Sequence, residues 1–225
     1  MFFARTRRRS NLDGFIYAAL LRLLLDNLFA VLQRKIMLVL AYSTISQFGL
    51  VVVGLAVANE TAVFGSILQI FGHGIIKGAL FVLAGMFALR FDAYTLEEYS
   101  GLAKRSPAMA AAFVVLGLAM IGLPPTVGFV GKCYITLGAV QEGLWIVAGA
   151  VVVSTLLTLL YVVPFVNRLY FYSPDLTVPR RAGVTRGMLA AIFLAALFAI
   201  VLGLVSAWFE AALSVTVEGL VSPET

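Results

Sequence analysis

The chain contains one cysteine, one histidine and only 11 acidic residues against 16 basic ones in 225 positions. A lone Cys133 excludes an internal disulfide and any CxxC metal site. His73 has Lys77 one helical turn away, but lysine is a poor metal ligand and no third ligand type is near, so no metal site is expected. Paired carboxylates, a phosphate loop, a nucleophile elbow, internal repeats and low-complexity tracts are all missing, so neither a soluble catalytic site nor a cofactor is expected. Charge itself is scarce. Charged residues make up 12% of the chain and hydrophobic residues 62%, and the mean hydropathy is +1.03. That is too apolar for a soluble domain and long enough for five or six membrane spans.

The predicted fold class is therefore all-α: a polytopic transmembrane helical bundle of about five spans, one of them discontinuous, plus an N-terminal interfacial or sixth helix. The net charge of +5 does not point to nucleic acid, because the basic residues sit in short loops between apolar runs, where membrane topology explains them. A lipid bilayer is the expected surrounding. A cleavable signal peptide is not expected, since Arg5, Arg7, Arg8 and Arg9 precede an apolar run carrying Arg22 and Asp26 without a small-residue cleavage site.

The stretch Pro107–Val140 organises the reading. Gly122, Pro124, Pro125 and Gly128 interrupt it midway, and Lys132 follows the interruption. Pro124 and Pro125 lack amide donors, and the carbonyls they free must find partners at membrane depth. A lysine near a span centre adds roughly 2.5 to 3.5 kcal/mol of insertion cost, so Lys132 should face a polar interior rather than lipid. A snorkelling lysine on a short interfacial helix is the plainer alternative. A straight helix over the stretch would measure about 51 Å, against a core of roughly 30 Å. Loop charges favour one broken crossing over two short ones. With one crossing, Arg34, Lys35, Arg90, Lys104, Arg105, Arg168, Arg180, Arg181 and Arg186 fall on one side, and Glu60, Glu142, Glu210, Glu218 and Glu224 on the other. The basic side is expected to be cytoplasmic.

The other spans are predicted at 36–58, 62–89, 144–170 and 187–212. Residues 12–33 are ambiguous: charge counting favours an interfacial helix over a sixth span, because basic residues flank the run on both sides. In the first confident span Ser43, Ser46 and Gln47 share a face, for which helix packing is the favoured reading and a hydrated path the other. In the second, Ser66, Gln69, His73 and Lys77 form one polar stripe. His73 and Lys77 stand one turn apart, within reach for proton exchange directly or through one water. Desolvation disfavours an ammonium, so a lysine here reads as a functional group. Ser154, Thr158 and Tyr161 share a face that packing explains, and Pro164 is a candidate kink.

Three runs, RKIMLVLAYSTISQFG (34–49), HGIIKGALFVLAG (73–85) and GLPPTVGFVGKCYI (122–135), together resemble the proton-translocating antiporter-like membrane subunits. These comprise the D subunits of multisubunit sodium/proton antiporters and their relatives in respiratory complex I. TLEEYSGLAKRSP (95–107) and the GLPP form of the break look more like the antiporter D subunit. The resemblance implies two inverted repeats of five helices, each with a broken helix and a half-channel. Lys132 matches the lysine or glutamate on the second broken helix, and Lys77 with His73 the polar pair leading inward. It implies a membrane subunit of a cation/proton antiporter or, alternatively, of a complex I or hydrogenase-type oxidoreductase, and hence a transporter subunit rather than an enzyme. A non-conducting scaffold or remnant is the third alternative. The implied location is a prokaryotic plasma membrane. A full subunit is about twice as long, so this chain looks like its second half, and other membrane subunits are expected, one supplying the first repeat. The expected division is a basic amphipathic segment at 1–33, the antiporter-like half-repeat at 34–172, and a basic loop with a last helix at 173–225.

Overall fold

The computed structural model describes residues 2–174 and 183–206, with side chains from residue 14 onward. Its helices are α1 (Phe2–Leu32), α2 (Ile36–Val57), α3 (Glu60–Phe91), the single turn α4 (Leu102–Arg105), α5 (Pro107–Ile121), α6 (Val127–Gln141), α7 (Trp145–Phe171) and α8 (Arg186–Leu204). No strand occurs among the described residues. Five helices are long and apolar enough to cross a membrane: α1 from Gly14, α2, α3, α7 and α8. The C-terminal part of the span expected at 187–212, the arginines at 180 and 181 and the glutamates at 210, 218 and 224 lie outside the described residues.

α3 is the central helix, touching α2, α5, α6 and α8. Asn59 starts it, its side chain accepting from the Ala62 amide at 2.8 Å, and Asp92 ends it in the left-handed region. α5 and α6 together form one antiparallel partner for α3. Phe113 faces Phe87 near one end. Further along, Val127 faces Gly72, Ile135 faces Gly65, and Gly138 faces Ala62, in continuous register across the interruption. The segment is thus a single broken crossing. Glycines permit the approach: a Cβ at Gly65 would lie 2.6 Å from the Ile135 amide, and one at Gly138 2.6 Å from the Ala62 amide. Small residues are how membrane helices bring backbones together.

α1 corrects the preference for an interfacial helix. Only Gln33, Arg34 and Lys35 separate it from α2, and the two helices run antiparallel in close contact. The Ser46 hydroxyl donates to the Leu23 carbonyl at 2.7 Å, and Gly49 sits where a Cβ would be 3.1 Å from the Ala19 carbonyl. A helix packed along α2 shares its orientation, so α1 is the sixth crossing. Loop charge is a statistical bias, whereas a three-residue connection and a matched face are geometric constraints. α7 continues through Pro164 to Phe171.

The basic loop ends gather at one end of the bundle. Lys35 and Thr95 form an isolated antiparallel bridge, the Leu96 amide donates to the Arg34 carbonyl at 2.8 Å, and the Gly101 amide to the Arg168 carbonyl at 2.9 Å. Beneath them Tyr99 fills an aromatic cluster with Phe87, Phe113 and Phe165. The Glu98 carboxylate accepts from the amides of Tyr94 at 2.6 Å and Thr95 at 2.8 Å. Partial burial pushes its pKa up, but the hydrogen bonds outweigh this and hold it below the ordinary 4.5. A carboxyl depressed on folding contributes stability above its unfolded pKa and loses it as pH falls through the folded value. Glu98→Gln is therefore expected to lower the unfolding temperature at pH 7 and to make little difference well below pH 4. Urea or thermal unfolding of the purified complex at both pH values checks this; an equal loss at both would assign the effect to packing.

Candidate functional site

The break is built from its glycines and prolines. α5 ends at Ile121 because Gly122 adopts φ 88°, a conformation that side chains disfavour, and its amide returns to the Leu118 carbonyl at 3.1 Å. Pro124 and Pro125 follow with a cis bond between them. The Thr126 hydroxyl donates to the Leu123 carbonyl at 2.8 Å, and α6 begins at Val127. Gly128 packs against the end of α5, where a Cβ would be 2.3 Å from the Ala119 carbonyl.

Lys132, on the second turn of α6, folds back into this break. Its Nζ donates to the Ile121 carbonyl at 2.7 Å, the last carbonyl of α5, and the side chain is only 5% exposed. A cation at a helix C-terminus meets the negative end of the dipole, and an N–H from an ammonium is a stronger donor than a neutral one. Gly122 leaves the space: a Cβ there would be 3.3 Å from Lys132 Nζ. The interior placement of Lys132 agrees with expectation, and the snorkelling alternative does not match a buried side chain.

Lys77 is equally buried, at 4% exposure. Its Nζ donates to the Leu40 carbonyl at 3.0 Å and, at short range, to the Ser43 hydroxyl. Its hydrogen bonds thus go across to α2 rather than to His73. His73 Nε2 is buried and unpartnered. His73 and Lys77 line one recess without a hydrogen bond between them, while Lys132 is held at the break. Spacing alone allows exchange directly or through one water; in the structure the long lysine stem reaches the neighbouring helix α2 instead of its own.

The supporting polar residues divide. Ser46 and Ser66 satisfy backbone: Ser66 donates to the Ala62 carbonyl at 2.9 Å and Ser46 ties α1 to α2, as the packing reading expects. Gln47 and Gln69 differ, since Gln69 Nε2 donates to Gln47 Oε1 at 2.9 Å while Gln47 Nε2 and Gln69 Oε1 stay buried without partners. Gln69 also rests on Gly131 of α6, which joins α2, α3 and α6 in one polar layer. A recess of about 90 Å³ opens between α2 and α3 beside this layer, lined by Thr44, Gln47, Phe48, Gln69, Ile70, His73 and Lys77. Its volume exceeds the roughly 10 to 15 Å³ that one water requires. The wall is nearly all carbon.

A multi-pass helical bundle in which, among the described residues, one crossing is interrupted and buries a lysine against its own break defines a class of polytopic membrane subunit. This chain belongs to the NADH:quinone oxidoreductase/Mrp antiporter transmembrane family, whose profile matches residues 10–158. It is 38% identical over 148 residues to NADH-quinone oxidoreductase subunit N of Desulforudis audaxviator, a match covering 66% of this chain and 30% of that protein. The fold superimposes on a chain of the Mrp complex from Dietzia sp. DQ12-45-1b with a TM-score of 0.88 at 22% identity, covering 96% of this chain and 48% of that one. A chain of respiratory complex I from Thermus thermophilus gives 0.85 at 25% identity, covering 95% and 45%. The chain thus spans about half of those solved chains and under a third of that curated relative.

One residue contacting the break carries no signal in the sequence. Gly203 of α8 lies where a Cβ would be 2.1 Å from the Pro125 carbonyl and 2.7 Å from the Val127 amide. These are backbone atoms that cannot step aside. Gly203→Val is expected to destabilise by about 1 to 3 kcal/mol through overpacking, read as a lower unfolding temperature of the purified complex. An unchanged temperature would mean that α8 does not press on the break.

Proposed function

We propose that this chain supplies a proton half-channel in a multisubunit cation/proton antiporter of the prokaryotic cell membrane, with Lys132, Lys77 and His73 taking and passing the proton. The supporting observation is the buried Lys132 ammonium held on the terminal carbonyl of a helix broken inside the bundle. The carbonyl supplies an acceptor that the desolvated group would otherwise lack. Small movement or hydration of the break therefore changes its proton affinity, which is what a carrier driven by neighbouring charges requires. His73 Nε2, buried and without a partner beside the recess that Lys77 also lines, is placed to exchange a proton with water or a side chain that enters there.

A second reading is favoured by a different observation. The sequence relative at 38% identity is named as an NADH-quinone oxidoreductase subunit, which supports a proton-pumping subunit driven by electron transfer in other chains. The two readings share the proton path and differ in partners, so co-purification decides between them: small membrane proteins for the antiporter, soluble redox proteins for the oxidoreductase. In either assembly other membrane subunits are expected as partners, since the solved chains it superimposes on belong to multisubunit membrane complexes.

Lys132→Ala is expected to reduce dye-reported cation/proton exchange to background in vesicles carrying the whole complex, while the subunits still co-purify. Lys77→Ala is expected to do the same. Unchanged exchange in both would leave the chain as a scaffold, in which removing a buried charge raises stability.

A further inference from the structure

We propose that the outer face of α1 around Arg22 is the docking surface for a membrane helix of another subunit, which presents a neutral oxygen acceptor to the Arg22 guanidinium at mid-depth. The contact does not involve the proton path and applies to either assembly. α1 crosses with the 19 residues from Gly14 to Leu32, and Arg22 is the ninth of them. α2 gives the same depth independently: Ser46, which donates to the Leu23 carbonyl, is the eleventh of its 22 residues. Arg22 thus lies about 12 Å from one end of the crossing and about 15 Å from the other. That is too deep for its stem to carry the charge to either headgroup layer.

The rotation of α1 about its axis is fixed from inside. Besides the Ser46 bond, Asn27 Nδ2 donates to Ser154 Oγ of α7 at 2.8 Å, and the Tyr161 hydroxyl of α7 donates to Asn27 Oδ1 at 3.4 Å. These ties to α2 and α7 turn Arg22 outward, where its side chain is 64% exposed. Among the described residues no other charged side chain is exposed in the interior of a crossing. Lys77 and Lys132 are buried, and Arg90, Arg168 and Arg186 stand at helix ends. A charged group at that depth is costly against lipid, so this face calls for protein.

Asp26 satisfies part of the arginine. Its Oδ2 accepts from Arg22 Nε at 3.1 Å, and its own side chain is 12% exposed, so the carboxylate is largely covered while the guanidinium is not. The donors on Nη1 and Nη2 have no partner among the described residues, and hydrocarbon offers them none. The Arg22–Asp26 pair is already neutral. A further carboxylate would leave a net negative charge in the membrane, whereas an amide or hydroxyl oxygen adds an acceptor without one. A second copy of this chain, packed side by side, lacks that acceptor: the other polar side chain exposed on this face is Tyr17, five residues or about 7.5 Å along the helix. The face is also shaped for a helix. The exposed positions Gly14, Ala18, Leu21, Leu25, Leu28 and Leu32 recur at alternating four- and three-residue spacing, and the two small residues leave room for a second backbone.

The test uses the purified complete complex in detergent. A benzophenone side chain introduced in place of Leu25 is photolysed, and the adduct is identified by peptide mass spectrometry. It is expected to join a membrane helix of another subunit within one turn of an Asn, Gln, Ser or Thr. An adduct beside Asp or Glu with no such residue near, an adduct with a second copy of this chain, or capture of lipid alone overturns the proposal. The double variant Arg22→Leu/Asp26→Leu removes both charges and leaves neither unpaired. It is expected to raise about tenfold the concentration at which half of the cross-linked subunit dissociates on dilution, the effect of one hydrogen bond to a charged group. An unchanged or lower concentration overturns the proposal, because a lipid-facing α1 is improved by losing the pair. Should the double variant not fold, the cross-link from position 25, made with Arg22 and Asp26 in place, decides.

Discussion

A helix that stops inside a bilayer leaves carbonyls that no water reaches, and the rest of this structure follows from how one of them is satisfied. The Ile121 carbonyl receives the Lys132 ammonium, so two features that are each unfavourable in hydrocarbon, a free backbone acceptor and a buried cation, offset one another. The arrangement requires the end of α5 and the start of α6 to approach within side-chain reach. Glycines at 122 and 128 allow that approach, and α8 closes it from outside through Gly203.

Because α5 and α6 stay in register against α3 across the interruption, the break lies opposite the polar stripe of α3 and not at a loop end. Gln69 rests on Gly131, next to Lys132, and bonds to Gln47 of α2. His73 stands one turn further along α3, and Lys77 a turn beyond, turned away toward α2. Three buried polar atoms without partners, Gln47 Nε2, Gln69 Oε1 and His73 Nε2, lie in this layer, while a further one, the Tyr99 hydroxyl, lies in the aromatic cluster at the basic end. Unpaired polar groups destabilise a static core. Water or a side chain entering the layer would find partners there.

The chain around this layer divides into two environments. At the basic end, the Tyr99 aromatic cluster and the backbone ties from Arg34 to Leu96 and from Gly101 to Arg168 make a rigid cap. In the midsection, long apolar side chains on the outer faces of α1, α7 and α8, such as Leu25, Leu156 and Leu197, remain exposed, as expected for surfaces that meet lipid or neighbouring subunits.

Apolar run length, Pro124 and Pro125, and the alternation of basic and acidic loops suffice to read the helical class, the single broken crossing and the burial of Lys77 and Lys132 from the amino-acid order. Those properties depend on composition and on spacing along one helix, which are local. The crossing of α1, the turn of Lys77 toward Ser43, the contact of Gly203 with the break and the meeting of Asn27 with Tyr161 depend on which helix faces which. A glycine or an asparagine in an apolar run has no periodicity to mark its partner, and a lysine stem is long enough to choose among several carbonyls. Only the packing of the helices against one another selects among those partners, and so the tertiary structure alone decided them.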